Sequence, residues 1–208
     1  MFSIIQAAGW PIWPLIASSI LALAIVIERF ISLKTLKVVP PRLLDEVITV
    51  TRKGIPSSDV VNQLEMNSAL GRVLASGLRA IVAEPGISED DLRASMESVG
   101  RQVAHRLEQY LSALATIASA APLMGLFGTV VGMIEIFGSQ APGGSTGGNP
   151  AQLAHGISIA LYNTAFGLIV AIPSLIFWRY FRGRVDEYLM LLELDAERMA
   201  RHLKSLRK

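Results

Sequence analysis

The 208-residue chain contains no cysteine, which excludes disulfides and thiolate metal sites while remaining compatible with any compartment. Lysine and arginine are missing from residues 1–28 and again from residues 138–152. Charge of either sign is missing from Trp10 to Ile27 and from Gly156 to Trp178, and Leu111 to Phe137 holds one acid, Glu135. The glycine-rich stretch Pro142 to Pro150 lacks the lysine and the preceding strand that a phosphate cradle requires, so it reads as a flexible connection. No Ser/His/Asp or Cys/His arrangement stands in reach of a common site, and the other carboxylates are scattered. An enzyme is therefore not expected, and no catalytic group, metal site or cofactor is assigned.

What is present is hydrophobicity in blocks. The composition is 51% hydrophobic and 17% charged, and the three charge-poor runs account for the imbalance. A helix crossing a hydrocarbon core of roughly 30 Å needs about 20 apolar residues. Each run meets that length, so the fold class expected is an all-α membrane protein with three transmembrane helices in contact with lipid. All 19 lysines and arginines fall between Arg29 and Arg106 or between Arg179 and Lys208. Positive loop charge marks the cytoplasmic side, which puts the N-terminus outside and the C-terminus inside. The net charge of +2 follows from this topology and points to no nucleic-acid partner. A cleaved signal peptide is not the reading, because basic residues follow the first run instead of preceding it.

The expected division is residues 1–11 outside, 12–33 as the first span, and 34–110 as a cytoplasmic helical domain. Residues 111–137 form the second span, 138–152 an outer Gly/Pro loop, 153–178 the third span and 179–208 a cytoplasmic helical tail. Within the cytoplasmic domain, Pro40-Pro41, Gly54 to Pro56, the polar stretch near Asn67 and Pro85-Gly86 separate short amphipathic helices. Ser88-Glu89-Asp90-Asp91 has the spacing of a capping box. From there to Phe137 only Pro122 interrupts the helical pattern, which predicts one helix of ~50 residues. The third span is expected to continue as helix into Arg179 to Leu206, so that the second and third helices both extend far into the cytoplasm.

An ionisable group deep in a span costs roughly 2.5 to 3.5 kcal/mol on insertion scales, so Glu135 needs a compensating partner or a function. It either reaches the headgroup region or takes up protons at a channel mouth. Gly125, Gly128 and Gly132 share its broad face, and small residues there permit close helix contact. Thr129 stands beside them and can return its hydroxyl to its own backbone. On the third span Asn163, Thr164, Gly167, Ala171 and Ser174 fall in an arc of about 100°, which either lines a narrow polar path or packs against a helix. Pro122 and Pro173 are expected to serve helix packing by kinking the helix or freeing a carbonyl. His155 stands just before the third span, either solvated or titrating.

The segment Ala121-Pro-Leu-Met-Gly-Leu-Phe-Gly-Thr-Val-Val-Gly-Met-Ile134 resembles the second-span signature of the ExbB/TolQ/MotA proton-channel family. Leu161-Tyr-Asn-Thr-Ala-Phe-Gly-Leu-Ile-Val-Ala-Ile-Pro173 resembles its third-span signature, and the three-span plan is closer to the ExbB/TolQ branch than to four-span MotA. The resemblance implies a multi-pass protein of the bacterial inner membrane, its N-terminus periplasmic, forming a homo-pentameric ring. The ring would enclose an ExbD/TolR-type single-span partner and drive a TonB- or TolA-like periplasmic protein, energising TonB-dependent outer-membrane transport by the proton motive force. Thr129 and Thr164 match the ring threonines that face the partner's membrane acid; Glu135, Asn163 and Ser174 complete the expected proton pathway. One departure stands out: the family's third-span glutamate is here Ile159, and this chain carries Glu135 on the second span instead. Two other readings stay open, a TolQ-like subunit for envelope integrity and a non-conducting oligomeric membrane scaffold.

Overall fold

The computed structural model describes residues 9–54, 56–138 and 150–205, and for residues 135, 136, 150–153, 155, 156 and 159 only the backbone. Among the described residues the chain is helical with no strands. The helices are α1 (Ile12–Ser32), α2 (Thr35–Val38), α3 (Leu43–Arg52), α4 (Ser58–Asn67), α5 (Ala69–Ala83), α6 (Glu89–Glu108), α7 (Leu111–Gly138) and α8 (Pro150–Ser205). Three helical stretches are long and apolar enough to cross a membrane, within Ile12–Ser32, Glu89–Ile134 and Ala160–Ser205. The Pro142 to Pro150 connection falls largely outside the described residues, as do residues 1–8.

The chain divides into two compact units, Met1–Glu28 with Tyr110–Tyr180 and Arg29–Gln109 with Phe181–Lys208. In the first unit, Leu15 of α1, Ala121 of α7 and Ala171 of α8 form a buried cluster, against which Met124, Phe166 and Val170 pack. Small side chains at 121 and 171 let the helices approach, and Leu15 fills the space they leave. Large apolar groups such as Ile20, Leu123, Phe127 and Ile172 stay exposed, as membrane-facing or partner-facing surfaces do.

In the second unit the breaks fall where the sequence signals them. Ser68 caps α5, its Oγ accepting from the Gly71 amide at 3.0 Å. Position 71 must be glycine at that corner, since a Cβ there would lie 2.1 Å from the Leu64 carbonyl oxygen. Ser88 caps α6 as the capping box predicts, accepting from the Asp91 amide at 3.1 Å and donating to Asp91 Oδ2 at 2.6 Å. The acids of that first turn offset the positive end of the helix dipole. α6 is tied to the C-terminal part of α8 near both ends, by Arg182 with Glu108 at 2.8 Å and by Lys204 with Glu89. The hydrogen bond from Lys204 holds the Glu89 carboxyl below its ordinary pKa, with the charges of Lys204 and Arg93 acting in the same direction.

One expectation is corrected. The single helix of ~50 residues from Ser88 to Phe137 is two helices, because α6 ends at Glu108 and α7 begins at Leu111. Gln109 turns extended (φ −51°, ψ 138°) and Tyr110 takes a left-handed conformation (φ 65°). Of the carbonyls freed at the end of α6, that of Leu107 finds a donor in Arg29, 2% exposed, which gives Nη1 to it at 3.0 Å. By contrast α8 runs unbroken through 56 residues, so the expected continuation of the third span as helix is what the fold contains.

Candidate functional site: the paired second and third spans

The glycines singled out in the sequence meet Asn163 and Thr164 along the contact between α7 and the N-terminal part of α8. The two helices are antiparallel there, since rising positions on one meet falling positions on the other. A Cβ at Gly125 would lie 2.7 Å from the Asn163 oxygen and 3.0 Å from Thr164 Cα, and one at Gly128 would lie 2.8 Å from Asn163 Cβ. A Cβ at Gly132 would touch Ala160 Cβ at 3.4 Å, and one at Gly167 would lie 2.6 Å from the Ala121 oxygen. Gly125 and Gly167 therefore sit where backbone meets backbone, Gly128 faces the Asn163 side chain, and at 125, 128 and 167 an added methyl has no room.

Asn163 is 1% exposed and Ser174 3%, so both side chains are inside the α1, α7 and α8 assembly of this single chain. Ser174 donates its hydroxyl to the Val170 carbonyl at 2.7 Å, one turn back along its own helix. Thr129 donates to the Leu126 carbonyl at 2.6 Å. Its proton is thereby committed, and its oxygen retains acceptor capacity toward any donor that approaches. Thr129 and Thr164 are both half-buried.

The two threonines share an edge of the helix pair. Thr129 follows Gly128 and Thr164 follows Asn163, and Gly128 and Asn163 are in contact. Each step along a helix turns about 100° in the same rotational sense. In an antiparallel pair that step carries both residues toward the same lateral side but in opposite directions along the axis, and Thr164, whose Cα would lie 3.0 Å from a Cβ at Gly125, stands roughly one turn from Thr129. In the sequence the two hydroxyls were related only through the family resemblance, which turns both toward a partner's acid. The signal that relates them is the contact between the residues just before each.

Pro122 and Pro173 lie inside α7 and α8 without ending either helix. Each removes one intrahelical donor, freeing the carbonyls of Ala118 and Ile169. Glu135 is on the backbone of α7, seven residues beyond Gly128 and so on the same stripe, but its side chain lies outside the described residues. The side chains of His155 and Ile159 do as well. In the second unit a groove of 550 Å³ is floored by Val73, Met96 and Leu192 and includes none of these residues.

The sequence pattern of the MotA/TolQ/ExbB proton channel family matches residues 65–194. An ExbB-like biopolymer transport protein of Synechocystis is 32% identical over 180 residues, covering 86% of this chain and 83% of its own. A biopolymer transport protein exbB1 of Vibrio cholerae is 30% identical over 171 residues, 81% of this chain and 73% of its own. The Tol-Pal system protein TolQ of Pseudomonas aeruginosa is 30% identical over 186 residues, 83% of this chain and 77% of its own.

Proposed function

Because the chain belongs to the MotA/TolQ/ExbB proton channel family, we propose that it is the channel-forming stator subunit of an inner-membrane motor of the ExbB–ExbD type. The motor uses the proton motive force to energise TonB-dependent transport across the outer membrane. Five copies form a ring around the span of an ExbD/TolR-type partner, and the ring acts on a TonB-like periplasmic protein. The N-terminus is periplasmic and the tail cytoplasmic, as the lysine and arginine distribution requires.

The observation that carries this reading is the shared edge of Thr129 and Thr164. Two half-buried hydroxyls on one lateral edge, roughly a turn apart, can face a partner's membrane acid, and the committed proton of Thr129 leaves an acceptor for that acid in its protonated form. A proton crossing the potential delivers about 2.3 kcal/mol per 100 mV, enough to bias a rotation or helix shift of the partner. Asn163 and Ser174 are buried inside the same helix assembly and support that edge from within. Glu135 takes over part of the acidic role that Ile159 cannot play.

A TolQ-like role in envelope integrity is a second reading, favoured by the similarity to the Pseudomonas aeruginosa TolQ, which is of the same order as that to the exbB1 protein. Neighbouring genes separate the two, a TonB gene supporting the first and TolA or TolB genes the second. The assignment of residues is tested by measuring proton-driven transport in Thr129→Val, Thr164→Val and Glu135→Gln. Loss in all three is the expected result. Full activity of Glu135→Gln alongside loss in the threonine variants removes Glu135 from the pathway.

A further inference from the structure

We propose that Asn163 is a positioning residue, whose side chain wedged against Gly128 fixes the register of α7 against α8 and with it the spacing of Thr129 and Thr164 along their shared edge. The proposal rests on the channel reading above for its functional consequence, though the register itself does not depend on it.

Asn163 is 1% exposed and occupies the centre of the α7–α8 contact. A Cβ at Gly128 would lie 2.8 Å from Asn163 Cβ and 2.9 Å from both Cγ and Nδ2, so the carboxamide occupies the volume that any other residue at 128 would fill. One turn away, Gly125 lies against the Asn163 carbonyl and Thr164 Cα. Glycine at 125 and 128 therefore forms a notch in α7, and Asn163 is the side chain seated in it. An apolar helix pair held only by small residues has several registers of similar packing, one turn or about 5.4 Å apart. A planar amide with two donors and an acceptor accepts far fewer arrangements, because each slip changes which polar groups it meets. Buried polar groups that specify register at interfaces have this general role.

The consequence follows from adjacency in sequence. Thr129 and Thr164 are the immediate neighbours of Gly128 and Asn163, so whatever holds the notch also holds the spacing of the two hydroxyls along the edge they share. A slip of one turn would change that spacing along the membrane normal by about 5.4 Å while leaving each helix intact. Asn163 thus acts on the proton path through the threonines, and its own side chain faces the interior of the helix pair.

The absence of cysteine makes the test direct, since labels can be attached at chosen positions only. Spin labels on Leu126→Cys and Leu168→Cys, both exposed positions, report the register of α7 against α8. The measurement uses the full chain with its ExbD/TolR-type partner, labelled copies being diluted with unlabelled ones. Asn163→Ala is expected to shift or broaden the distance distribution by about 1–2 Å or more. It should also lower partner-dependent proton flux about tenfold or more, as loss of positioning does, with the pH dependence of the remaining flux unchanged. Asn163→Asp, of the same shape, restores the distance distribution. In case Asn163→Ala does not assemble, Gly128→Ala, whose methyl takes the volume of the Asn163 carboxamide, is expected to disturb the same distance and the same flux, and an unchanged distance there overturns the proposal as well.

An unchanged distance with lost flux in Asn163→Ala overturns the proposal and makes Asn163 a member of the path itself. An unchanged distance with unchanged flux overturns it outright. If labels shift as expected but the native protein shows no partner-dependent flux, the register role stands and the channel reading fails.

Discussion

Arg29 donates Nη1 to the Leu107 carbonyl oxygen at 3.0 Å from a position 2% exposed, so a buried guanidinium finishes the helix that Tyr110 then turns away from. Hydrogen bonds to a charged group contribute about 1.5–3 kcal/mol, and the carbonyl left behind would lose its partner. Arg29→Met is expected to lower stability by about that amount in denaturant or thermal unfolding. Arg29→Lys should recover only part of it, because a shorter point charge lacks the fork of the guanidinium. Equal stability of the native protein and Arg29→Met contradicts this account of the α6 end.

Two glycines of α8 should respond in opposite ways to alanine. At Gly167 the new Cβ meets the Ala121 carbonyl oxygen at 2.6 Å, and overpacking of this kind costs about 1–3 kcal/mol. At Gly183 nothing lies within 4 Å, so alanine gains helix propensity of about 0.5–1 kcal/mol. Thermal unfolding of the two variants should bracket the native value, Gly167→Ala below and Gly183→Ala above.

Two groups near the C-terminal end of α8 give stability a defined pH dependence. Burial lowers the pKa of His202, with the charge of Arg52 adding to it, and Nε2 lies 2.9 Å from Thr51 Oγ1. Thr51 donates to the Val47 oxygen at 2.8 Å, so in that arrangement it accepts from His202. A base with a lowered folded pKa contributes stability that is complete above the unfolded value of 6.5 and is lost as pH falls through the folded one. Asp195 has the opposite shift: burial raises its pKa, Asp45 adds to the rise and Arg198 opposes it. Its ionisation costs stability as pH rises from 3.8 through the raised value. Asp195→Asn should therefore stabilise the protein at neutral pH, with the gain vanishing below about pH 3.8, where both states are protonated. His202→Gln should flatten the loss of stability below 6.5. Denaturation midpoints measured from pH 3 to 8, roughly one point per unit, check both signs.

Much of this was legible in the chain because local chemistry decided it. Ser88 and Asp91 sit at capping spacing and cap α6, and the charge-poor runs correspond to the helices able to cross a membrane. The break at Gln109–Tyr110 was not legible, since neither glycine nor proline marks it. Its partner Arg29 is 78 residues from Leu107, and sequence gives no measure of such a contact. Tyr188 shows the same limit: its hydroxyl donates to the Leu33 oxygen at 2.9 Å across a separation of 155 residues, while Arg184 donates to it at 2.6 Å. The arc containing Asn163, Thr164 and Ser174 was visible as a stripe. Which of its members face inward depends on the register of α7, and that became readable only from the Gly128–Asn163 contact.

Proton flux into vesicles under an imposed gradient tests the central claim most directly, comparing the chain alone, the chain with its ExbD/TolR-type partner, and the same complex carrying Thr164→Val. Flux that appears only with the partner and disappears in Thr164→Val is the predicted result. Flux indistinguishable with and without the partner, in vesicles where the complex is intact, contradicts the channel and leaves a membrane scaffold.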